Sequence, residues 1–104
     1  MRVRALDEAK AELALAVGYG ELTHKSRGRR LLRDYINVVD WATQFPHSGS
    51  PIMKLDSPYE VRGFMLGKFD FTTIIAVLPD ELVVVALAHH SQEPGYWRER
   101  LKSL

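Results

Sequence analysis

The sequence has no cysteine, which removes disulfides and thiolate metal sites and fits a reducing compartment. It has no excess of either charge: 14 lysines and arginines stand against 13 aspartates and glutamates, a formal net charge of +1. No global field therefore draws it to nucleic acid or anionic lipid, and any polyanion site has to be local. Long apolar runs are missing as well. The longest, Leu82 to Ala88, is far short of the roughly 20 residues of a membrane helix, and Met1 to Leu6 lacks the apolar stretch of a signal peptide. A soluble, cytoplasmic protein with no membrane partner is expected. Zinc held by histidine alone would need His24, His47, His89 and His90 to converge, and adjacent histidines on a strand point to opposite faces, so neither a metal nor a cofactor is expected.

What is present is enough for one domain, residues 1–104, since a chain of this size buries roughly 60 to 70 per cent of its unfolded surface. Arg2 to Leu6 alternates basic and apolar residues and reads as a first strand with one face buried. Asp7 opens a run of strong helix formers, with Asp7 and Glu8 where the helix dipole favours negative charge, and a helix over Asp7 to Tyr19 follows, weakened at its end by Gly18 and Gly20. Glu21 to Ser26 is the connection. From Gly28 to Phe45, Leu31, Tyr35, Val38, Ala42 and Phe45 recur at three- and four-residue steps, a long amphipathic helix that Pro46 ends. So short a link makes the two helices an antiparallel hairpin. After a loop over His47 to Pro58, the period changes to that of strands: Tyr59 to Leu66, Phe71 to Leu78 and Glu81 to His89, an antiparallel meander. The last of these is apolar on both faces and should be covered on both. The expected architecture is α+β in the order β-α-α-β-β-β, with the helical hairpin packed on one face of an antiparallel sheet.

That order, together with particular residues, resembles the RelE/ParE toxins of type II toxin–antitoxin (plasmid stabilisation) systems over nearly the whole chain. Ala9, Glu12-Leu13 and Tyr19 look like the family's first helix, and Arg30-Leu31-Leu32 through Phe45-Pro46 like its second. Tyr59-Glu60-Val61-Arg62, Leu66, Lys68-Phe69 and Phe71 resemble the arginine-bearing strand and the aromatic turn after it. His89 followed by Pro94-Gly95-Tyr96-Trp97 and Arg100 is similar to the tail common in the ParE-like branch. The departures lie in basic residues. Gly63 stands where members often carry a second cation, Ser91, Gln92 and Glu93 where they carry two arginines, and Phe69-Asp70-Phe71 where the turn usually reads Phe-Pro-Tyr.

The resemblance to the ParE-like branch implies a toxin that poisons DNA gyrase without catalytic residues of its own and is neutralised by a cognate antitoxin. It implies target contacts from Arg62, Lys68, His89, Tyr96, Trp97, Arg98 and Arg100. The RelE-like branch implies a ribosome-dependent mRNA endonuclease, which needs a base for the ribose 2′-hydroxyl, an acid for the leaving oxygen and a cation for the phosphate. Glu60, Arg62 and His90 are the candidates, since Glu60 and Arg62 share a strand face and a histidine ends the neighbouring strand. A strongly basic ribosome-binding surface is not evident in the composition, which favours the gyrase branch. A third reading, prompted by the missing arginines, is a non-toxic relative that only binds.

Each candidate has a plainer alternative. Glu60 and Arg62 also make sense as a solvated pair on an open sheet face. His89 continues the strand alternation and suits a hydrogen-bonded structural role, leaving His90 freer for chemistry. Tyr96 and Trp97 could stack on bases, or tie the terminal segment to the sheet. Lys25, Arg27, Arg29, Arg30 and Arg33 put five cations into nine residues at the start of the second helix. Positive charge is unfavourable there unless an anion or an acidic partner answers it, which makes this stretch the polyanion or antitoxin candidate, and an exposed solvated face the alternative.

Overall fold

A computed structural model describes all of residues 1–104. The elements are β1 (Arg2–Ala5), α1 (Asp7–Thr23), α2 (Arg27–Gln44), β2 (Ser50–Pro51), β3 (Glu60–Met65), β4 (Phe71–Val77) and β5 (Glu81–His89), followed by a 3₁₀ helix over Arg98–Ser103. The strands form one sheet in the order β1-β5-β4-β3-β2. The meander is antiparallel as expected, and β1 joins it parallel to β5, with Arg2 opposite Glu81 and Ala5 opposite Val84.

The helical hairpin covers one face of this sheet. Ala9, Leu31 and Ala42 meet Phe64, Leu66, Ile75, Leu82, Val84 and Leu87 there. The opposite face is closed by the chain's end, where Trp97 and Leu101 are buried with Val61, Ile74, Ala76, Val83 and Val85, flanked by Ile52, Leu55 and Tyr59 from the loop before β3. A β5 apolar on both sides is thus explained: from Leu82 to Leu87 it is buried without a break. A register shift opposite Ile74 and Ile75 leaves Val85 as the extra residue of a bulge. Val85 and Ala86 both fall on the tail side, and Leu87 returns to the helix side. The bulge therefore sets the face on which His89 emerges.

Four features differ from the sequence expectation. First, α1 continues to Thr23 rather than ending at Tyr19, because Gly20 is a packing residue and not a terminator. A Cβ there would lie 3.0 Å from the Gly28 nitrogen, and one on Gly28 only 2.3 Å from the Val17 carbonyl oxygen, so the two glycines let the hairpin helices touch backbone to backbone. Second, β1 buries little: Arg2, Val3 and Arg4 are exposed, and only Ala5 reaches the core, because β1 is an edge strand beyond the reach of α1. Third, the loop before β3 contains the short strand β2, paired with Gly63 and Arg62. Fourth, the tail folds into the 3₁₀ helix, and Leu101 from it and Trp97 just before it close the second face of the sheet. Composition hid it because six residues of mixed charge carry no periodicity of their own.

Candidate functional site

β1 pairs with β5 only as far as Val84, so the rest of that edge of β5 has free backbone groups. Two side chains satisfy them. Glu12 on α1 accepts the Leu87 N–H at 3.1 Å, and Arg100 donates to the Val85 carbonyl at 3.1 Å. Glu12 and Arg100 are also paired to each other at 2.9 and 3.1 Å, each side chain 18 % exposed. Tyr96 donates its hydroxyl to Glu12, and the Arg100 guanidinium lies 5.2 Å from the Tyr96 ring centre. Burial, then the bond to Glu12 and its negative charge, push the Tyr96 phenol above its ordinary value, while Glu12 holds Arg100 more firmly protonated. Gly95, at a φ of +76°, makes the turn that brings the aromatic pair in. Of the expected target contacts, Trp97 is buried at 4 % exposure, and Tyr96 and Arg100 are taken up by this network; Arg98 is exposed.

Glu60 and Arg62 do share a face of β3. Arg62 bonds the Glu60 carboxylate, and its Nη1 also donates at 2.7 Å to the carbonyls of His47 and Gly49, fastening the segment after α2. His47 approaches Glu60 at 3.1 Å. Arg62 first and His47 second hold the Glu60 carboxyl below the usual carboxylate range. His90 is elsewhere. It bonds Thr72 at 2.9 Å, and Thr72 lies on the tail side with Ile74, whereas Arg62 aligns with Phe64 on the helix side. The structure therefore does not bring Glu60, Arg62 and His90 together, and Arg62 is already engaged in holding a loop. His89 Nδ1 contacts the Ser91 hydroxyl at 2.6 Å, and its ring meets Phe71 edge-on at 4.9 Å on the helix side.

The five cations at the start of the second helix separate into two kinds. Arg29 is paired with Glu21 at 3.8 Å and with Ser26, while Glu21 also accepts the backbone N–H groups of Ser26 and Arg29 and so caps α2 from the neighbouring helix. The Arg27 guanidinium lies 5.0 Å from the centre of the Phe69 ring. Arg30 and Arg33 have no acidic partner within ion-pair distance, nor has Lys68 from the β3–β4 turn. These three, with Arg27, Asp34 and the Gly67–Phe69 turn, line a cleft of about 430 Å³. Lys25 is exposed and points to no partner. The four histidines do not converge, and no three metal-ligating side chains gather anywhere.

A different surface is apolar. Trp41 and Phe45 at the end of α2 are 53 % and 48 % exposed with ring centres 4.5 Å apart, and Met65 on β3 is 66 % exposed. Trp41, Val38 and Met65 border a cleft of about 320 Å³ against Gly63 and Phe64, where β2 stops pairing and the outer edge of β3 is open over its last two residues, Phe64 and Met65. In the sequence Phe45 belongs to the helix stripe, whereas Trp41 and Met65 carry no signal, because single exposed apolar residues are ordinary until a fold puts them side by side.

Comparison with solved structures locates this architecture. The chain superposes on one from the chromosomal ParDE toxin–antitoxin system of P. aeruginosa with a TM-score of 0.70, covering 86 % of this chain and 95 % of that one, at 17 % identity. The fold is ParE-like. No protein-family model matches the sequence, and no curated protein matches it. The ParE-like fold thus persists here with few side chains in common, and the residues that hold it up, Glu12, Trp97 and Arg100, are ones that the RelE/ParE resemblance had cast partly as target contacts. No helix is long and apolar enough to cross a membrane.

Proposed function

We propose that this chain is the toxin of a type II toxin–antitoxin pair, acts in the cytoplasm on DNA gyrase without catalysing a reaction, and is held inactive by a cognate antitoxin. The carrying observation is the superposition over nearly the full length of both chains on a component of a ParDE system. The separation of Glu60 and Arg62 from His90 on opposite sheet faces supports the non-catalytic branch over an mRNA endonuclease, since general acid–base cleavage needs those groups within reach of one phosphate.

The antitoxin's place is the apolar strip along α2 and β3. Trp41, Phe45 and Met65 offer anchors at Phe64 and Met65, the end of β3 that β2 leaves unpaired, so an extended segment could continue the β2 edge there and seat its apolar side chains in the cleft. Aromatic residues and methionine are enriched in the cores of protein interfaces, and tryptophan among their hot spots. Gyrase contacts are assigned to side chains left free by the fold, Lys68, Arg98 and the exposed part of the tail, with the half-buried His89 beside them.

Controlled expression in a bacterial host tests this reading. Growth arrest accompanied by a DNA-damage response and gyrase-linked breaks is expected. Arrest with cut mRNA would replace it with the endonuclease, and unimpaired growth with a relative that only binds.

A further inference from the structure

We infer that the cleft between α2 and the β3–β4 turn binds a nucleotide, with its phosphates among Arg30, Arg33 and Lys68 and its base in the small aromatic pocket next door. The cleft collects four cations, Arg27, Arg30, Arg33 and Lys68, from two separate elements, against the single carboxylate of Asp34. Arg30, Arg33 and Lys68 are not answered by any acidic side chain in the fold. The end of the helix itself is not the attraction, because Glu21 already accepts the N–H groups of Ser26 and Arg29. What remains for a ligand is a fan of guanidinium and ammonium donors around about 430 Å³, a donor set suited to several phosphate oxygens at once.

The second compartment decides between a bare anion and a nucleotide. Arg27 and Phe69 line the cleft on one side and, on the other, a pocket of about 140 Å³ whose further walls include Tyr19, Leu31, Phe71 and His89. It is apolar and aromatic, with room for one planar ring system rather than for a helix. Tyr19 is 70 % exposed and free to close over such a ring, and Phe71 and His89 form a fixed edge-on pair at 4.9 Å. Base stacking on aromatic side chains is tolerant of base identity. Cations alone would also accept an acidic protein segment, but a peptide carboxylate has no use for a stacking pocket joined to the cleft through Arg27. The inference is independent of the toxin reading.

The same chemistry is offered by a free nucleotide and by one unit of a nucleic acid strand. Binding of ATP, tripolyphosphate, a short thymidine oligonucleotide and oligo-glutamate, followed at low salt by calorimetry and by amide shifts, separates them. ATP is expected to bind more tightly than tripolyphosphate. Arg33→Ala and Lys68→Ala should each weaken both by about tenfold, the loss of one charge-assisted contact, and Tyr19→Ala should weaken ATP alone. These side chains are exposed, and unchanged melting of the variants excludes misfolding as the cause. ATP tighter than the oligonucleotide identifies a free nucleotide, and the reverse a nucleic acid strand. Three results would overturn the inference: no binding of any probe at millimolar concentration, binding indifferent to Arg33 and Lys68, or oligo-glutamate matching ATP with no effect of Tyr19, which would make the cleft a dock for an acidic protein segment.

Discussion

Arg100 and Arg33 differ in what answers their charge. Arg100 is 18 % exposed beside Glu12, also 18 % exposed, and the pair spends its remaining hydrogen bonds on the unpaired edge of β5. Arg33 is exposed in a cleft whose cations outnumber its one acid. A cation that the fold neutralises internally is architecture, and removing it exposes its partner. A cation that the fold leaves unanswered contributes little to folding and stays available to a ligand outside the chain. The same contrast separates Arg62, tied to Glu60 and two carbonyls, from Lys68 in the next turn.

The largest consequence belongs to the internal pair. Glu12→Ala leaves Arg100 largely buried without a counter-charge and strips the Leu87 N–H of its acceptor, and is expected to cost about 3 kcal/mol in chemical denaturation. Adding Arg100→Leu to it should recover part of that loss; a double variant as unstable as the sum of the two singles would break the assignment. Gly28→Ala drives a methyl group into the Val17 carbonyl and should cost about 2 kcal/mol by forcing the hairpin apart. Thr73→Val points the other way. The Thr73 hydroxyl is fully buried and has no hydrogen-bond partner, so the isosteric change should raise stability by about 1 kcal/mol in the same assay.

On the other side of the comparison, Arg33→Ala and Lys68→Ala should each leave the unfolding free energy within about 0.5 kcal/mol of the original. A loss comparable to that of Glu12→Ala would show the cleft to be structural after all. A further small effect is a pH dependence. Arg62 and His47 hold Glu60 below its unfolded value, so its contribution is complete above about pH 4.3 and is lost as pH falls through the depressed folded value. With 36 % of the side chain exposed the contribution is screened to under about 1 kcal/mol, and Glu60→Gln should flatten the acid limb of the stability curve by that amount.

The fold was legible where periodicity and punctuation agreed. The helix stripe from Leu31 to Ala42, the proline after it and the three apolar runs placed α2 and the β3–β5 meander within a residue or two. It was not legible where one signal has two meanings. Gly20 could end a helix or let a second one approach, and only the partner glycine eight residues on distinguishes them. The tail likewise allowed two readings, stacking on a target or tying the segment to the sheet. Pro94-Gly95-Tyr96-Trp97 carried the resemblance, yet Trp97 and Tyr96 turn inward because the sheet's second face has no helix to cover it. A lone glutamate in the alanine- and leucine-rich stretch of α1 was the available clue to Glu12, and nothing local indicates that its partner lies 88 residues away. The cationic cleft was half visible: the arginines of α2 stood out in sequence, whereas Lys68 and the aromatic pocket join them only through the β3–β4 turn.

The toxin reading is tested most directly with purified protein and purified DNA gyrase. Titrating the chain into a supercoiling reaction should inhibit supercoiling and accumulate linear DNA from trapped cleavage complexes, with added mRNA on ribosomes left intact. Undisturbed supercoiling at a large excess of folded protein would contradict it.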